Sequence, residues 1–452
     1  MIAADPRGVD ACGLKRRIAD HASSSPGPTL IVVGGLHANE PAGIDAAARV
    51  HARLDDRSLS CQAGRVVSLR GNLAALAVDA PEPWLRDRYI DHDLNRLFHG
   101  HEDASSDASS EHRERAQLIG ELRRLSSEAR GTTYLLDLHT VSSDSPAFVA
   151  LEDSLPARRF AAGLPLPKVL GLEEELAGLM IDYATNELGC VSCIVEAGRH
   201  DDPRSSDVHE AVVLLAMASL GMLPRSVRTT AGEVPRDVVE QAAGGRAGHF
   251  YDVRQRVGIG HVDFAMQPGA MAFMSIAAEK TVLAVEDTRP VTASANGLLF
   301  LPNRQASARV GDDAFFVIAR VGRIWLSMSA WLRRRAWVHR LAPRLLPGVR
   351  AREGEPHAIV VAPEYAALLR REVLHLLGYR LVRWTHAPYV SLPRRIAGVA
   401  AGLCRAVAGL LRFAPLGGER AALPEERPTD WIARRHRLDV TPWPRVDEGG
   451  SP

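Results

Sequence analysis

Short apolar runs, each stopped abruptly by a polar or glycine-rich segment, set the rhythm of the first half of this chain. Leu30–Val33 follows Thr29 and runs into Gly34-Gly35, which predicts a buried strand that ends in a turn. Pro41 and the alternating Ala, Ile and Val positions to Leu54 then predict a helix. His37-Ala-Asn-Glu40 is therefore a loop outside the carboxyl end of a strand, where open α/β sheets place ligands. Thr132–Leu138 predicts a second buried strand ending at His139, and Ser192–Val195 a third ending at Glu196. Arg65–Leu69 reads as a further strand. Leu118, Leu122 and Leu125 fall at helical spacing in Glu111–Arg130, and Val208–Leu220 reads as an apolar helix. Residues 1–28 are polar, end in SSSPGP and read as a lead-in.

The pattern changes near residue 228. From Arg228 to Ala319 short β-branched runs are punctuated by Gly, Pro and Asn, which predicts a compact β-domain. Residues 323–352 hold eight arginines and no acid, with Trp325, Trp331 and Trp337 interleaved. Such a stretch suits a helix packed on its neighbour by its tryptophans, and less well a helix that meets anionic lipid or nucleic acid. His357–Val382 reads as strand, helix, strand. Ile396–Leu411 is apolar but carries Arg405 and is too short to cross a bilayer. From Pro424 the chain reads as a loosely ordered tail. The expected division is 1–227, 228–322, 323–423 and 424–452.

Four residues at three strand ends carry the candidate chemistry. A catalytic zinc has three protein ligands and an open position for water, with a further carboxylate to move protons. His37, Glu40 and His139 fit the ligand set, one zinc per chain, and Glu196 fits the base. The short His-x-x-Glu spacing is common by itself; its recurrence at strand ends gives it weight. Asp137, two before His139, faces the same side of the strand, either to orient the imidazole or as a buried structural acid. Arg88, Asn95 and Arg96 lie in an extended loop, Trp84–Arg96, and are candidate substrate anchors. His92, His99 and His101 flank the polar segment Gly100–Ser110 and read as surface histidines. Glu173–Glu175 reads as a solvated turn, and the roles of Arg199 and His200 stay open.

GLHANE, RYIDHDLNR, LLDLH and IVEAG, in that order, resemble the succinylglutamate desuccinylase and aspartoacylase group of zinc hydrolases, relatives of the zinc carboxypeptidases. Residues 29–225 carry the motifs, and FAMQPGAMAFMSI, GLLFLP and VGDDAFFVI resemble the group's small β-domain. The resemblance implies an α/β fold: a zinc-carboxypeptidase-like mixed sheet flanked by helices, then a small β-domain, here followed by an α/β or helical appendage. It also implies hydrolysis of an N-acyl amino acid or similar carboxylate-bearing amide, rather than an ester. In this reading Arg88 stabilises the oxyanion, and Asn95 and Arg96 bind a substrate carboxylate. One departure concerns specificity: where aspartoacylases carry an arginine about ten residues before the catalytic glutamate, Asp182–Leu188 holds Asn186 and no arginine. That argues against an N-acylated aspartate or succinylglutamate. A metallocarboxypeptidase and a non-catalytic zinc scaffold or membrane-surface protein are the alternatives.

Composition adds mainly exclusions. The 452 residues, 46% hydrophobic and 24% charged, exceed one usual core. A net charge of +1 advertises no attraction for nucleic acid or membranes. The partner that the resemblance implies is a small molecule with a carboxylate, and membrane contact through the C-terminal region is the less favoured option. Five cysteines without a disulfide pattern suit a reducing cytoplasm, and no secretory signal is read. Cys190 and Cys193, three apart on a strand, should point to opposite faces rather than form a pair.

Overall fold

The computed structural model describes residues 13–98, 109–224, 235–305, 308–352, 354–362, 373–381, 431–435 and 439. His99, His101, most of Gly100–Ser110, the Ile396–Leu411 stretch, Cys12, Cys404 and nearly all of the tail lie outside the described residues.

An apolar run with both faces buried has to lie inside a sheet, and Thr29–Gly34 (β2) is buried at every position. β1 is Arg17–Ala22 and β3 is Arg65–Arg70; β4 is Thr133–Val141, β5 Phe148–Leu151, β6 Lys168–Leu170 and β7 Val191–Arg199. Next come β8 (Phe250–Gly258), β9 (Ala265–Met266), β10 (Ser275–Ile276), β11 (Val282–Glu286), β12 (Arg289–Thr292), β13 (Gly297–Phe300) and β14 (Asp313–Val321). One 11-stranded mixed sheet runs β1-β3-β2-β4-β7-β5-β6-β8-β14-β13-β10. The expected mixed α/β sheet flanked by helices is therefore observed. β1 lies in the segment read as a polar lead-in; pairing with β3 at the sheet edge accounts for its polar, alternating sequence. The short strands expected after residue 228 are present, but the boundary at 227/228 does not divide the sheet, because β8 pairs in parallel with β6.

The period of two along β2 sorts the core. Leu30 and Val32 pack with Val66, Leu136 and Val212 on one face; Ile31 and Val33 pack with Val67, Leu118 and Leu122 on the other. α1 (Ala42–Asp55) and a later helix, Arg204–Ser219, cover the first face. α2 is the short turn Leu73–Leu76, and α3 (Ser110–Glu128) covers the second face. Helices α4 (Leu155–Ala162) and α5 (Met180–Asn186) precede Arg204–Ser219, which is α6, and α7 is Arg236–Ala242. Cys190 and Cys193 join opposite cores, as their spacing on a strand predicts, and neither is in a disulfide.

The junction of β2 and α1 is unusually close. A Cβ on Gly34 would lie 2.7 Å from the Gly43 carbonyl carbon, and one on Gly43 2.7 Å from Leu138 Cβ. Only glycines allow the helix to start directly against β2 and β4, which is what folds the His37–Glu40 loop over the strand ends.

The C-terminal appendage is α8 (Arg323–Arg333), α9 (Ala336–Leu345), α10 (His375–Leu377) and a four-stranded antiparallel sheet. Its strands are β15 (Val349–Arg352), β16 (Glu355–Val361), β17 (Tyr379–Leu381) and β18 (Trp431–Arg435), in the order β15-β16-β18-β17. The expected packing by tryptophans holds for one of three. Trp325 lies with its ring 5.9 Å from the Arg158 guanidinium, whereas Trp331 and Trp337 are exposed. Glu173–Glu175 is not a solvated turn: Glu174 is buried and bonds His375 at 3.0 Å. The appendage supplies partners, His375 and the cation Arg380, that the sequence around the glutamates does not show. Among the described residues no helix is long and apolar enough to cross a membrane.

Candidate metal centre and active site

β4 and β7 both continue past the residues expected to end them, to Val141 and Arg199. Their register makes His139 and Glu196 direct neighbours across the parallel pair. The loop after β2 brings in the other two. His37 Nδ1 lies 2.8 Å from Glu40 Oε1, His139 Nδ1 lies 2.9 Å from Glu40 Oε2, and the two Nδ1 atoms are 3.1 Å apart. All three residues are buried, and they form a His/Glu/His group able to hold a metal ion.

The donor set fits a divalent cation. Two imidazole nitrogens crowded on one carboxylate cannot both aim a proton at each other, and a shared cation would satisfy all three. The outer nitrogens have the carboxylate neighbours usual for metal-binding histidines. Asp93 Oδ1 is 3.1 Å from His37 Nε2, and Asp137 Oδ2 is 2.9 Å from His139 Nε2, although off the line of its N–H. Asp137 is fully buried beside that imidazole, a position compatible with both roles read for it. Electrostatics agree in direction. Burial opposes charge on His139, but Asp137 and Glu40 outweigh it and hold its pKa well above the usual value. Glu40 is held well below the carboxylate range, the two histidines outweighing its burial.

Glu196 stands apart from this group. It is not fully buried, and its Oε2 has no hydrogen-bond partner among the described residues. Burial pushes its carboxyl up to about 8; His139 and Arg88 pull the other way, and Glu40 and Asp137 add to the rise. Arg88 donates to Glu40 Oε1 at 3.2 Å and to Asp93 Oδ2 at 3.4 Å. Its backbone carbonyl accepts from Ala38 N at 3.1 Å, which ties the two loops together.

The DLNR residues behave differently from one another. Asn95 is buried, and its Oδ1 accepts from Met180 N at 2.8 Å, at the start of α5. Arg96 donates to Asp313 Oδ2 at 3.3 Å, so an anion of the chain already faces the guanidinium. Asp313 also pairs with Arg256. Asn95, Arg96, Arg256 and Asp313 line a cleft of about 330 Å³ together with His37, Glu40, His139 and Glu196, and Asn303, Arg309 and Asp312 line it too. Asn186 is turned elsewhere, bonding the Asp182 carbonyl at 3.0 Å. Arg199 is exposed on Asp201 and Asp144, and His200 Nδ1 bonds Thr140 Oγ1 at 2.7 Å. Burial pushes His200 down to about 4, so it is neutral. His92 is exposed, as expected.

Two positioning residues were not singled out from the sequence. Asp93, inside DLNR, links His37 to Arg88. Glu111, fully buried at the start of α3, accepts from the backbone amides of Ile90, Asp91 and His92 at 2.8, 3.0 and 3.2 Å. Glu111 fixes the loop that carries Arg88 and Arg96. Asp93 could have been found from its place in the motif, whereas Glu111 is an ordinary helix glutamate in sequence.

Residues 26–219 match the family model of the succinylglutamate desuccinylase/aspartoacylase catalytic domain. That range holds every residue of the His/Glu/His group together with Glu196, Arg88 and Arg96. In sequence, no curated protein matches the chain. The fold is similar to that of a succinylglutamate desuccinylase from Vibrio parahaemolyticus, at 15% identity and a TM-score of 0.48 over 67% of this chain and 91% of that one. It is also similar to a succinylglutamate desuccinylase/aspartoacylase from Rhodobacter sphaeroides, at 18% identity, TM-score 0.47, over 66% of this chain and 87% of that one. An ectoine utilization protein from Ruegeria pomeroyi is similar at 20% identity, with TM-score 0.47 and the same coverages of 66% and 87%.

Proposed function

We propose that this chain is a zinc-dependent hydrolase that cleaves the amide bond of an N-acyl amino acid or a similar carboxylate-bearing amide. The observation that carries the reading is the family match over residues 26–219, with an uncommitted carboxylate, Glu196, beside a buried His/Glu/His group inside that range. A scaffold metal would need neither Glu196 nor Arg88.

His37, Glu40 and His139 would hold the metal, which when bound supplies Lewis acidity and lowers the pKa of water towards 7 in the best cases. Glu196 accepts the proton of the attacking water and returns it to the leaving amine, which needs a carboxylate that is not a ligand. Arg88 donates to the carbonyl oxygen as it gains negative charge, from a position where Asp93 and Glu40 already hold its guanidinium. Arg96, with Asn95 behind it, receives the substrate carboxylate.

A screen of zinc-loaded protein against N-acyl amino acids and short peptides tests the reading. Release of the free amino acid from the N-acyl series supports it. Removal of C-terminal residues from peptides alone would make the chain a carboxypeptidase, and inertness on both would sink the proposal. Metal analysis should give near one zinc per chain, lost in His37→Ala; a variant that keeps its zinc removes His37 from the ligand set.

Arg96→Ala should lose activity on the free acid and little on its methyl ester. Because Arg96 is part-exposed and Asp313 already shares its charge, the loss is set near the lower end for a charge-assisted pair, about thirty-fold in kcat/KM. Equal losses on acid and ester would make Arg96 structural.

A further inference from the structure

Helix α8 has a mixed buried side. Its two most enclosed residues are polar, Ser329 and Arg333, with Arg333 bonded to Asp153 and Ser329 facing Arg158 at 3.5 Å, while Leu326 and Leu332 beside them pack on the cores. Its outward face is apolar. Ile324, Met328 and Trp331, at i, i+4 and i+7, form one stripe exposed to 85%, 42% and 50%. On α9, Trp337 and Leu345 are also about half exposed, while Val338 and Ala342 are buried. Isolated exposed apolar residues need no explanation, but a contiguous stripe of them along one helix face does.

The charge around the stripe selects its partner. Arg334 and Arg335 lie three and four residues after Trp331, and the Arg335 guanidinium lies 5.1 Å from the Trp331 ring centre. A second cleft, of about 1040 Å³, runs along α9; His339, Arg340, Arg344, Arg350, His357 and Arg435 line it, and its lining has no acid among the described residues. Residues 323–418 hold sixteen arginines and four glutamates, so with a net charge of +1 overall the rest of the chain is acidic. A second copy of this face would bring arginines against arginines. The apolar stretch 396–411 would as well, since residues 373–418 contain arginines and no acid.

We propose that α8 and α9 form a docking surface for an anionic phospholipid membrane. Ile324, Met328 and the tryptophans enter the headgroup–acyl boundary, where an indole buries its ring and keeps its N–H wet. Arginine stems lie along the apolar stripe, with the guanidinium groups on lipid phosphates. The rest of the chain, being acidic, is repelled by the same surface, so the molecule is held in one orientation. Nothing in this depends on the hydrolase reading.

Co-sedimentation of the full chain with phosphatidylcholine vesicles, with and without phosphatidylserine, tests it. The protein should be retained by the anionic vesicles, released by salt, and not retained by phosphatidylcholine alone. At about fivefold per arginine, the Arg334→Glu/Arg335→Glu double variant should lower partitioning about thirty-fold or more. Ile324→Glu/Trp331→Glu should abolish it, with thermal unfolding unchanged because both side chains are exposed. Trp331→Ala, a milder change, should weaken binding measurably if the glutamate variant misfolds. Inorganic phosphate at matched ionic strength should not compete; full release by phosphate would assign the site to free phosphate and overturn the membrane proposal. Absence of retention, equal retention on both vesicles, or variants that bind as wild type would overturn it too. Concentration-dependent dimers, lost with Trp331→Glu in protein that ignores vesicles, would give the face to a second copy.

Discussion

Glu196→Gln should keep its zinc and lose about a hundred-fold to ten-thousand-fold in turnover, the usual contribution of a positioned general acid/base. Glutamine matches the shape of the carboxylate and can neither accept the water proton nor return it. The site favours a clean result. Glu196 sits next to His139 in register, but the interatomic contacts of the ligand group run through Glu40, so the change leaves His37, Glu40 and His139 with their partners. The pH profile gives an independent check. Burial pushes Glu196 up to about 8 in the chain by itself, and a cation held beside it acts in the opposite direction. A base works only when deprotonated, so wild-type activity should fall as pH drops through a value below 8, and that limb should vanish from the residual activity of the variant. Turnover within a few-fold of wild type, at unchanged zinc content, would remove Glu196 from the role.

The nearness of His37, Glu40, His139 and Glu196 was legible because each follows an apolar run, and parallel strands deliver the residues after such runs to one side of the sheet. What the runs could not show is pairing across distance. β4 and β7 pass beyond His139 and Glu196 because strand ends are set by the neighbouring strand's hydrogen bonds, which a local pattern does not contain. The same holds for β1, whose polar sequence becomes a strand only through β3. Arg96 illustrates the limit for the site. A cation near a candidate metal site suggested a substrate anion, and the local sequence could not show that Asp313, more than two hundred residues away, already shares that guanidinium. The enclosed arginine of α8 was hidden for a related reason. Arg333 looks like one more surface arginine until Asp153 is placed beneath it.

Asp153→Ala should destabilise the protein by about 3–5 kcal/mol, the cost of leaving buried charges without their partner. Three arginines from three elements meet on this one fully buried carboxylate: Arg158 of α4, Arg333 of α8 and Arg380 of β17. Arg333 is also held by the Asp153 carbonyl at 2.6 Å, by the His375 carbonyl at 2.8 Å and by Asp439 at 3.3 Å. Two of the three arginines belong to the appendage, so the loss should fall on its seating against the sheet. A protease should cut near residue 323 sooner in the variant, and denaturant unfolding should become broader or split. Arg333→Met should cost less, because Asp153 keeps two arginines and a methionine carries no charge to strand. The sign with pH follows from the same contacts. Burial works against ionised Asp153, the three arginines win, and its carboxyl is held well below the usual range. Its contribution is therefore complete above the ordinary carboxylate pKa near 4 and is lost only as pH falls through the lower, folded value. Wild type and Asp153→Ala should differ fully at neutral pH and converge in strong acid. A difference under about 1 kcal/mol at neutral pH would mean that Glu173, Glu174 and Asp439 compensate the arginines without Asp153.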